Sequence, residues 1–301
     1  MLYRSRSDRP FNIILFLLLA VFLIIEIYPL YFVLIASISN PQLVALNKIS
    51  LWPMGITFEG YLNVFKNDSI WIGYSNSIFY AIAGTVVNLM FTVTCAFCMA
   101  RQPVFKGKAL VMSFFVFTMY FGGGLIPYYI LIRDMNWIDK RVVMIIPSAL
   151  SVFNMIIVRT YIQNNIPMSL FESARIDGYG DIGMYLKIAL PLSKPIIAVM
   201  SLYFLVGHWN SYFTALIFLP SLEKAPLQLV LRRILVLNEM LKNVSLDSMS
   251  TMMMQEYLKR LAMAESMKYA VIYISCLPVL IAYPFVQKYF VKGVMIGAIK
   301  G

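Results

Sequence analysis

The sequence predicts an all-α membrane protein with six transmembrane helices, and three observations carry that reading. Of 301 residues, 60% are hydrophobic and only 13% charged, with a mean hydropathy of +0.77. A soluble domain sits nearer 45–50% apolar and about 25% charged. The apolar residues are gathered into runs long enough for helices of about 20 residues, an element that crosses a bilayer with its own backbone satisfied. The basic residues fall mostly between those runs, so the excess of 25 Lys and Arg over 14 Asp and Glu points to membrane topology and not to nucleic acid. Disorder is excluded as well, since it requires low hydrophobicity.

The first run is Phe11–Ala36, with Glu26 as its one acidic residue and Arg4, Arg6 and Arg9 ahead of it. Its apolar core is too long for a signal peptide and no small-residue cleavage site follows, so it is expected to stay as an uncleaved first span. Ser69–Ala100 carries no charge at all. Ala109–Ile132 is equally clean, but Gly122-Gly123-Gly124 and Pro127 interrupt it. Val142–Val158 is the shortest, with Pro147 early in it. Pro195–Leu222 is the fifth run and Tyr269–Gln287 the sixth, where Pro278 and Pro284 predict kinks. Broken backbone at membrane depth is tolerated where it packs in protein or lines a watery cavity, so the breaks read either as packing kinks or as hinges of a path. Six spans put both termini on one side. Lys and Arg are nearly balanced between the two sides, but the outer segments are longer, which favours termini inside.

Other chemistry is thin. Cys95, Cys98 and Cys276 cannot frame disulfides, and the C-x-x-C pair falls inside a charge-free run where packing explains it. A single histidine leaves no multi-His metal site. No paired carboxylates or Ser/His/Asp group stands near a span end, so no catalytic residue, metal or cofactor is expected. There is no G-x-x-x-x-G-K-[ST] segment to cradle nucleotide phosphates.

The inner segment 167–195 is the most specific stretch. Pro167 and Ser169 are expected to open a short helix with Glu172 in its first turn, and Gly178 to end it at positive φ. A second piece alternates Met184, Leu186 and Ile188 with Tyr185 and Lys187, then breaks at Leu190-Pro191. A helix–Gly–helix hung between spans reads as a handle for a partner protein or as a loop on lipid headgroups.

Glu172-Ser173-Ala174-x-x-Asp177-Gly178 with Leu190-Pro191 resembles the EAA loop of permease subunits in binding-protein-dependent ATP-binding-cassette importers, with Ser173 a small-for-small departure. The likeness covers nearly the whole chain. Ser37-Ile-Ser39, Asn76-Ser77 and the closing Lys292-Gly293-x-x-x-Gly297-x-x-Lys300-Gly301 are similar to maltose-type carbohydrate permeases. Gly122-Gly-Gly-Leu-Ile-Pro127-Tyr resembles the subgroup taking up complex oligosaccharides or polysaccharide fragments.

The resemblance implies six helices, both termini cytoplasmic, in a bacterial cytoplasmic membrane. The partners it implies are a second, non-identical permease, two cytoplasmic ATPase subunits and an extracytoplasmic sugar-binding protein. It assigns ATPase coupling to Glu172, Ser173, Ala174, Asp177, Gly178, Leu190 and Pro191. The tail residues Lys292, Gly293, Gly297, Lys300 and Gly301 would reach the ATPase interface. The outer loop 222–268, rich in methionine (Met249, Met252, Met253, Met254), would meet the binding protein. The chain then divides into an N-terminal segment with the first span and first outer loop (1–68), a five-span core (69–290) and a cytoplasmic tail (291–301).

Sugar contacts are expected on the fifth run. Tyr203, Gly207, Asn210 and Thr214 recur at helical spacing, flanked by Trp209, Tyr212 and Phe213. Aromatic faces stack on sugar C–H groups and Asn bonds hydroxyls, although Asn210 can equally bond a neighbouring helix. The alternatives are an importer of the same architecture for a peptide or polyamine, and an ion-coupled carrier resting on Glu26.

Overall fold

The computed structural model describes residues 8–101, 107–242 and 251–298, and among them it is helical without a strand. In chain order the helices are α1 (Asp8–Ser37), α2 (Pro41–Ala45), α3 (Glu59–Phe65), α4 (Asp68–Ala100), α5 (Lys108–Tyr120), α6 (Leu125–Asp134), α7 (Val152–Asn165), α8 (Met168–Ile176), α9 (Asp181–Met184), α10 (Leu190–Leu192), α11 (Lys194–Trp209), α12 (Phe213–Phe218), α13 (Leu227–Lys242) and α14 (Thr251–Ala298). A π-helical stretch, Tyr185–Ala189, joins α9 to α10. Two compact units result: residues 1–68 with 231–276, and residues 69–230 with 277–301.

In the first unit the C-terminal end of α1 is anchored and the rest is bare. Ile35, Ala36, Val44 and Ile49 are buried together, with Phe32 and Tyr269 meeting edge to face at 6.0 Å. Ser39 Oγ donates to Ile35 O and Ser37 Oγ shares a hydrogen bond with Tyr61 OH. Gly60 lies against the carbonyl of Ser266 with no room for a Cβ. By contrast Phe11 through Leu30, Ala20 apart, are exposed along the helix, as an apolar helix is when its solvent is lipid or another subunit.

In the second unit α4 is the axis. Its Val93, Ala96, Phe97, Met99 and Ala100 form one core with Met155, Val158 and Ile162 of α7, Phe171 and Ala174 of α8, Met184, and Met200 and Phe204 of α11. Cys95 and Cys98 pack against this core as free thiols.

Among the described residues, three helices are long and apolar enough to cross a membrane singly: Pro10–Ser37, Asp68–Ala100 and Met263–Ile281. The third run is a bent pair, α5 and α6 meeting at 112° across Gly122–Gly124, where Gly124 adopts φ +82°. The fourth run is not a continuous helix. It opens on a 3₁₀ turn at Arg141–Met144, is interrupted around Pro147, and only at Val152 does α7 begin, capped by Ser151 Oγ accepting from Asn154 N. Proline without an N–H and a Ser cap both favour a fresh start over propagation. The fifth run also divides, since α11 stops at Trp209 and α12 restarts at Phe213. Where an outer loop is expected over 222–268, α13 and the start of α14 are helical. Met249 lies outside the described residues.

Candidate functional site

Two features stand on the same helix, a protruding arm at the C-terminal end of α4 and a polar cavity halfway along it.

The arm is α8 to α10. Pro167 is the residue before α8, so the helix begins at Met168 and Glu172 falls in its second turn, not its first as the sequence suggested. Proline's extended ψ of 139° keeps it out of the helix. Gly178, at φ +83°, closes α8 with a double-bonded reversal: Gly178 N donates to Arg175 O and Tyr179 N to Ala174 O. Phe171 and Ala174 face inward, while Glu172, Ser173, Asp177 and Gly178 are exposed. Leu190 packs partly against the core and Pro191 is exposed. Asp181–Leu192 then bends 78° into α11. The exposed flank includes Ile176 at 88% and Ile182 at 75%, unusual for large apolar side chains unless something else covers them.

Arg101 ties the arm to α4. Its buried guanidinium lies over the rings of Phe97 and Phe171, at 5.2 and 5.5 Å, and Nη1 donates to Asp181 Oδ1 at 2.6 Å. Tyr185 adds a second tie, sharing a hydrogen bond with Thr94 Oγ1 at 3.0 Å. The last carbonyls of α4, and that of Arg101 just after it, are capped by donors: Arg159 Nε on Met99 O, Gln163 Nε2 on Ala100 O and Lys108 Nζ on Arg101 O. Cationic groups at a helix C-terminus complement its dipole. The arm is thus fixed to α4 by packing, charge and caps together.

The cavity holds about 380 Å³ and is lined by residues of α4, α6, α7, α11 and α12 and of the segment before α7, including Asn88, Tyr128, Ser148, Asn154, Tyr203 and His208. That size is within the range of small-ligand sites. Inside it Asn88 Nδ2 donates to Ser148 O, and Asn88 Oδ1 lies 2.7 Å from His208 Nε2. Gly84 lets the His208 ring lie directly on the α4 backbone, where a Cβ would collide with it.

Of the residues expected on the fifth run, Tyr203, Gly207 and Thr214 line this cavity. Trp209 is buried and meets Tyr74 edge to face at 5.5 Å, while Asn210 and Tyr212 are exposed at the break after α11 and lie outside the lining. The helical spacing that grouped these residues does not persist past Trp209. Sequence reasoning missed Asn88, Ser148, Asn154 and His208. The polar positions Thr85, Asn88 and Thr92, spaced along one face of a charge-free helix, were the signal for the first of these.

At the other end of α4 a clasp holds the 133–141 segment to 219–227. Lys224 Nζ donates to Asp139 Oδ2 and Ser221 Oγ to the same oxygen, both at 2.6 Å, and together they hold the Asp139 carboxyl below the usual carboxylate range. Arg141 donates to Asn76 Oδ1, and Asn76 in turn to Glu223 O and Ala225 O.

Of the tail, Lys292, Gly293 and Gly297 belong to α14, while Lys300 and Gly301 lie outside the described residues.

No family model matches the chain. It is 36% identical over 300 residues to protein LplC of Bacillus subtilis, spanning 100% of this chain and 98% of that protein. It is 34% identical to the polygalacturonan/rhamnogalacturonan transport system permease protein YtcP of the same organism, over 98% of this chain and 100% of that one. Among solved structures, a bacterial ABC transporter involved in the import of the acidic polysaccharide alginate contains a chain with a TM-score of 0.83 at 33% identity, covering 96% of this chain and 100% of that one. Likeness of this extent, over the whole length and in both sequence and fold, makes the chain a member of the membrane permease subunits of ATP-binding-cassette sugar importers.

Proposed function

We propose that the chain moves oligosaccharides or polysaccharide fragments across the cytoplasmic membrane by alternating access, driven by ATP hydrolysed in partner subunits. The observation that carries this reading is that α4 bears both the polar cavity, at Asn88, and the anchor of the exposed arm, at Arg101. A rigid helix joining the two gives ATP-driven motion at one a route to the other.

In this account the exposed face of α8, with Glu172, Ser173, Asp177 and Gly178, seats in a cleft of a cytoplasmic ATPase subunit. Ala174 and Leu190 shape that arm from within, and Pro191 bends its exposed end. A second, non-identical permease covers apolar α1 and completes the path. Residues 222–268 meet an extracytoplasmic sugar-binding protein, and the tail from Lys292 to Gly301 approaches the ATPase pair. Both termini are cytoplasmic, with six crossings: α1, α4, α5–α6, α7 with the turn before it, α11–α12 and α14. The cavity, reached by Tyr203, Gly207 and Thr214, is this subunit's share of the sugar path.

The nature of the relatives supports a sugar cargo. Relatives at lower identity include arabinooligosaccharide and melibiose/raffinose/stachyose permeases. The ion-coupled alternative rests on Glu26 alone, an exposed residue of α1 with no ion pair among the described residues. The test is ATPase stimulation of the reconstituted complex by its binding protein loaded with a panel of oligosaccharides, peptides and polyamines. Stimulation by oligosaccharides alone is expected. Stimulation by a peptide or polyamine instead would overturn the sugar reading.

A further inference from the structure

The cavity lining contains no carboxylate, lysine or arginine. What it does contain is a hydrogen-bond relay whose protonation can be deduced. Ser148 offers Asn88 a carbonyl oxygen, which only accepts, so the Asn88 atom facing it is the amide nitrogen. The other amide atom, Oδ1, therefore faces His208 Nε2 at 2.7 Å. Because Oδ1 also only accepts, Nε2 must carry the hydrogen. A neutral imidazole has a single N–H, which leaves Nδ1 with a free lone pair. No described residue donates to Nδ1. The ring cannot turn away to find a partner: its Nε2–Cε1–Cδ2 edge lies against Gly84, and the side chain is only 8% exposed. His208 is thus held by Asn88 at Nε2, with no described partner at Nδ1, in the wall of a ligand-sized cavity.

We propose that His208 Nδ1 is a sugar subsite, accepting a hydrogen bond from a hydroxyl of an uncharged sugar residue in the cavity. This rests on the sugar-importer reading above and adds the contact and the kind of group it takes. A hydroxyl donates to the lone pair. A carboxylate would oppose it, and a polyammonium would need the acidic partner that the lining lacks. Tyr128, Ser151, Asn154, Tyr203 and Thr214 supply further hydroxyls, an amide and ring faces in the same lining. An acidic residue of a mixed polysaccharide would accordingly sit elsewhere along the path.

The test uses the complete complex in proteoliposomes with its binding protein, and two substitutions. In His208→Gln the amide N–H stands near the Nε2 position and retains the bond to Asn88, but the acceptor at Nδ1 is gone. In His208→Asn the amide oxygen stands near Nδ1 and the bond to Asn88 is lost. At saturating loaded binding protein, His208→Gln should lose roughly tenfold in uptake, the scale of one hydrogen bond to substrate, with assembly unchanged. His208→Asn should retain more uptake than His208→Gln. Within a series of oligosaccharides deoxygenated one hydroxyl at a time, one member should be as poor for wild type as the parent is for His208→Gln. That variant should not distinguish the two. Wild-type uptake by His208→Gln, or less uptake by His208→Asn than by His208→Gln, would overturn the subsite. If instead wild type takes up no oligosaccharide at all, the sugar reading itself fails, which is a distinct result.

Discussion

Arg101 at the end of α4 and Asp181 at the start of α9 meet at 2.6 Å, with the arginine buried between two phenylalanine rings and the aspartate 66% exposed. Such a pair is asymmetric. Losing the aspartate strands a buried guanidinium, whereas losing the arginine returns a carboxylate to water.

Asp181→Asn should therefore cost more stability than Arg101→Met, whose flexible side chain refills the space between Phe97 and Phe171. The difference should be about 1–2 kcal/mol, below a fully buried pair because the aspartate is screened. Both variants should lower the ratio of stimulated to basal ATPase activity, since the arm is no longer tied to α4. Arg175→Ala should change little, because its contact with Asp181 is 3.9 Å long and both side chains are exposed. Thermal unfolding of the purified complex and its ATPase ratio check all three.

Gly178 tests backbone shape in isolation. A Cβ there meets nothing within 4 Å, yet φ is +83°, so any effect comes from strain alone. Gly178→Val should cost about 1–2 kcal/mol and reduce ATPase recovery in pull-downs, with Gly178→Ala intermediate. Gly180, at φ −75° in open space, should accept alanine silently. Equal recovery from wild type and Gly178→Val would remove the glycine from the docking shape.

Gly84→Ala should damage the cavity from behind its wall, by displacing the His208 ring that lines it. The new methyl meets the His208 ring and α4 backbone cannot yield easily, a misfit of about 1–3 kcal/mol. Loss of thermal stability together with uptake is expected; an unchanged melting curve would contradict the close approach.

The clasp at Asp139 gives a pH signature. Its carboxyl is held below the usual range, so the stabilisation is present above its unfolded value near 3.9 and disappears as pH falls through the lower folded value. Lys224→Met removes the main hydrogen bond. The stability gap between wild type and this variant should stay constant from about pH 7 to 5 and close below about pH 4. A gap that persists at acid pH would mean Lys224 acts by packing and not by charge.

Much of this was legible beforehand, and the failures are instructive. Apolar runs located α1 and α4 closely because length and the absence of charge suffice there. The Gly122–Gly124 break and the Gly178 reversal were readable because glycine marks positive φ. Hydropathy could not show that Val142–Val158 is split, since Pro147 and the Ser151 cap act on backbone hydrogen bonding and leave the apolar count untouched. Glu172 is expected a turn too early because Ser169 reads as part of the helix opening, whereas the helix already begins at Met168, directly after Pro167. The cavity was half seen: helical spacing along one run found Tyr203, Gly207 and Thr214, but Asn88 and Asn154 arrive from other helices, which no single-run periodicity records. As a lone histidine, His208 offers no catalytic or multi-His metal signal in the sequence, and its pairing with Asn88 depends on a contact across 120 residues.

The central claim is that the exposed face of α8 transmits ATP-driven motion to the sugar path. Glu172 is exposed on that face and none of the described hydrogen bonds or ion pairs involves its carboxylate, so Glu172→Lys reverses a charge there with little consequence for the fold. The measurement is ATP-dependent uptake of labelled oligosaccharide into proteoliposomes containing the complete complex, wild type against Glu172→Lys, at matched levels of inserted permease. Uptake should be lost while the two permeases remain associated. Uptake by Glu172→Lys at the wild-type rate would contradict it.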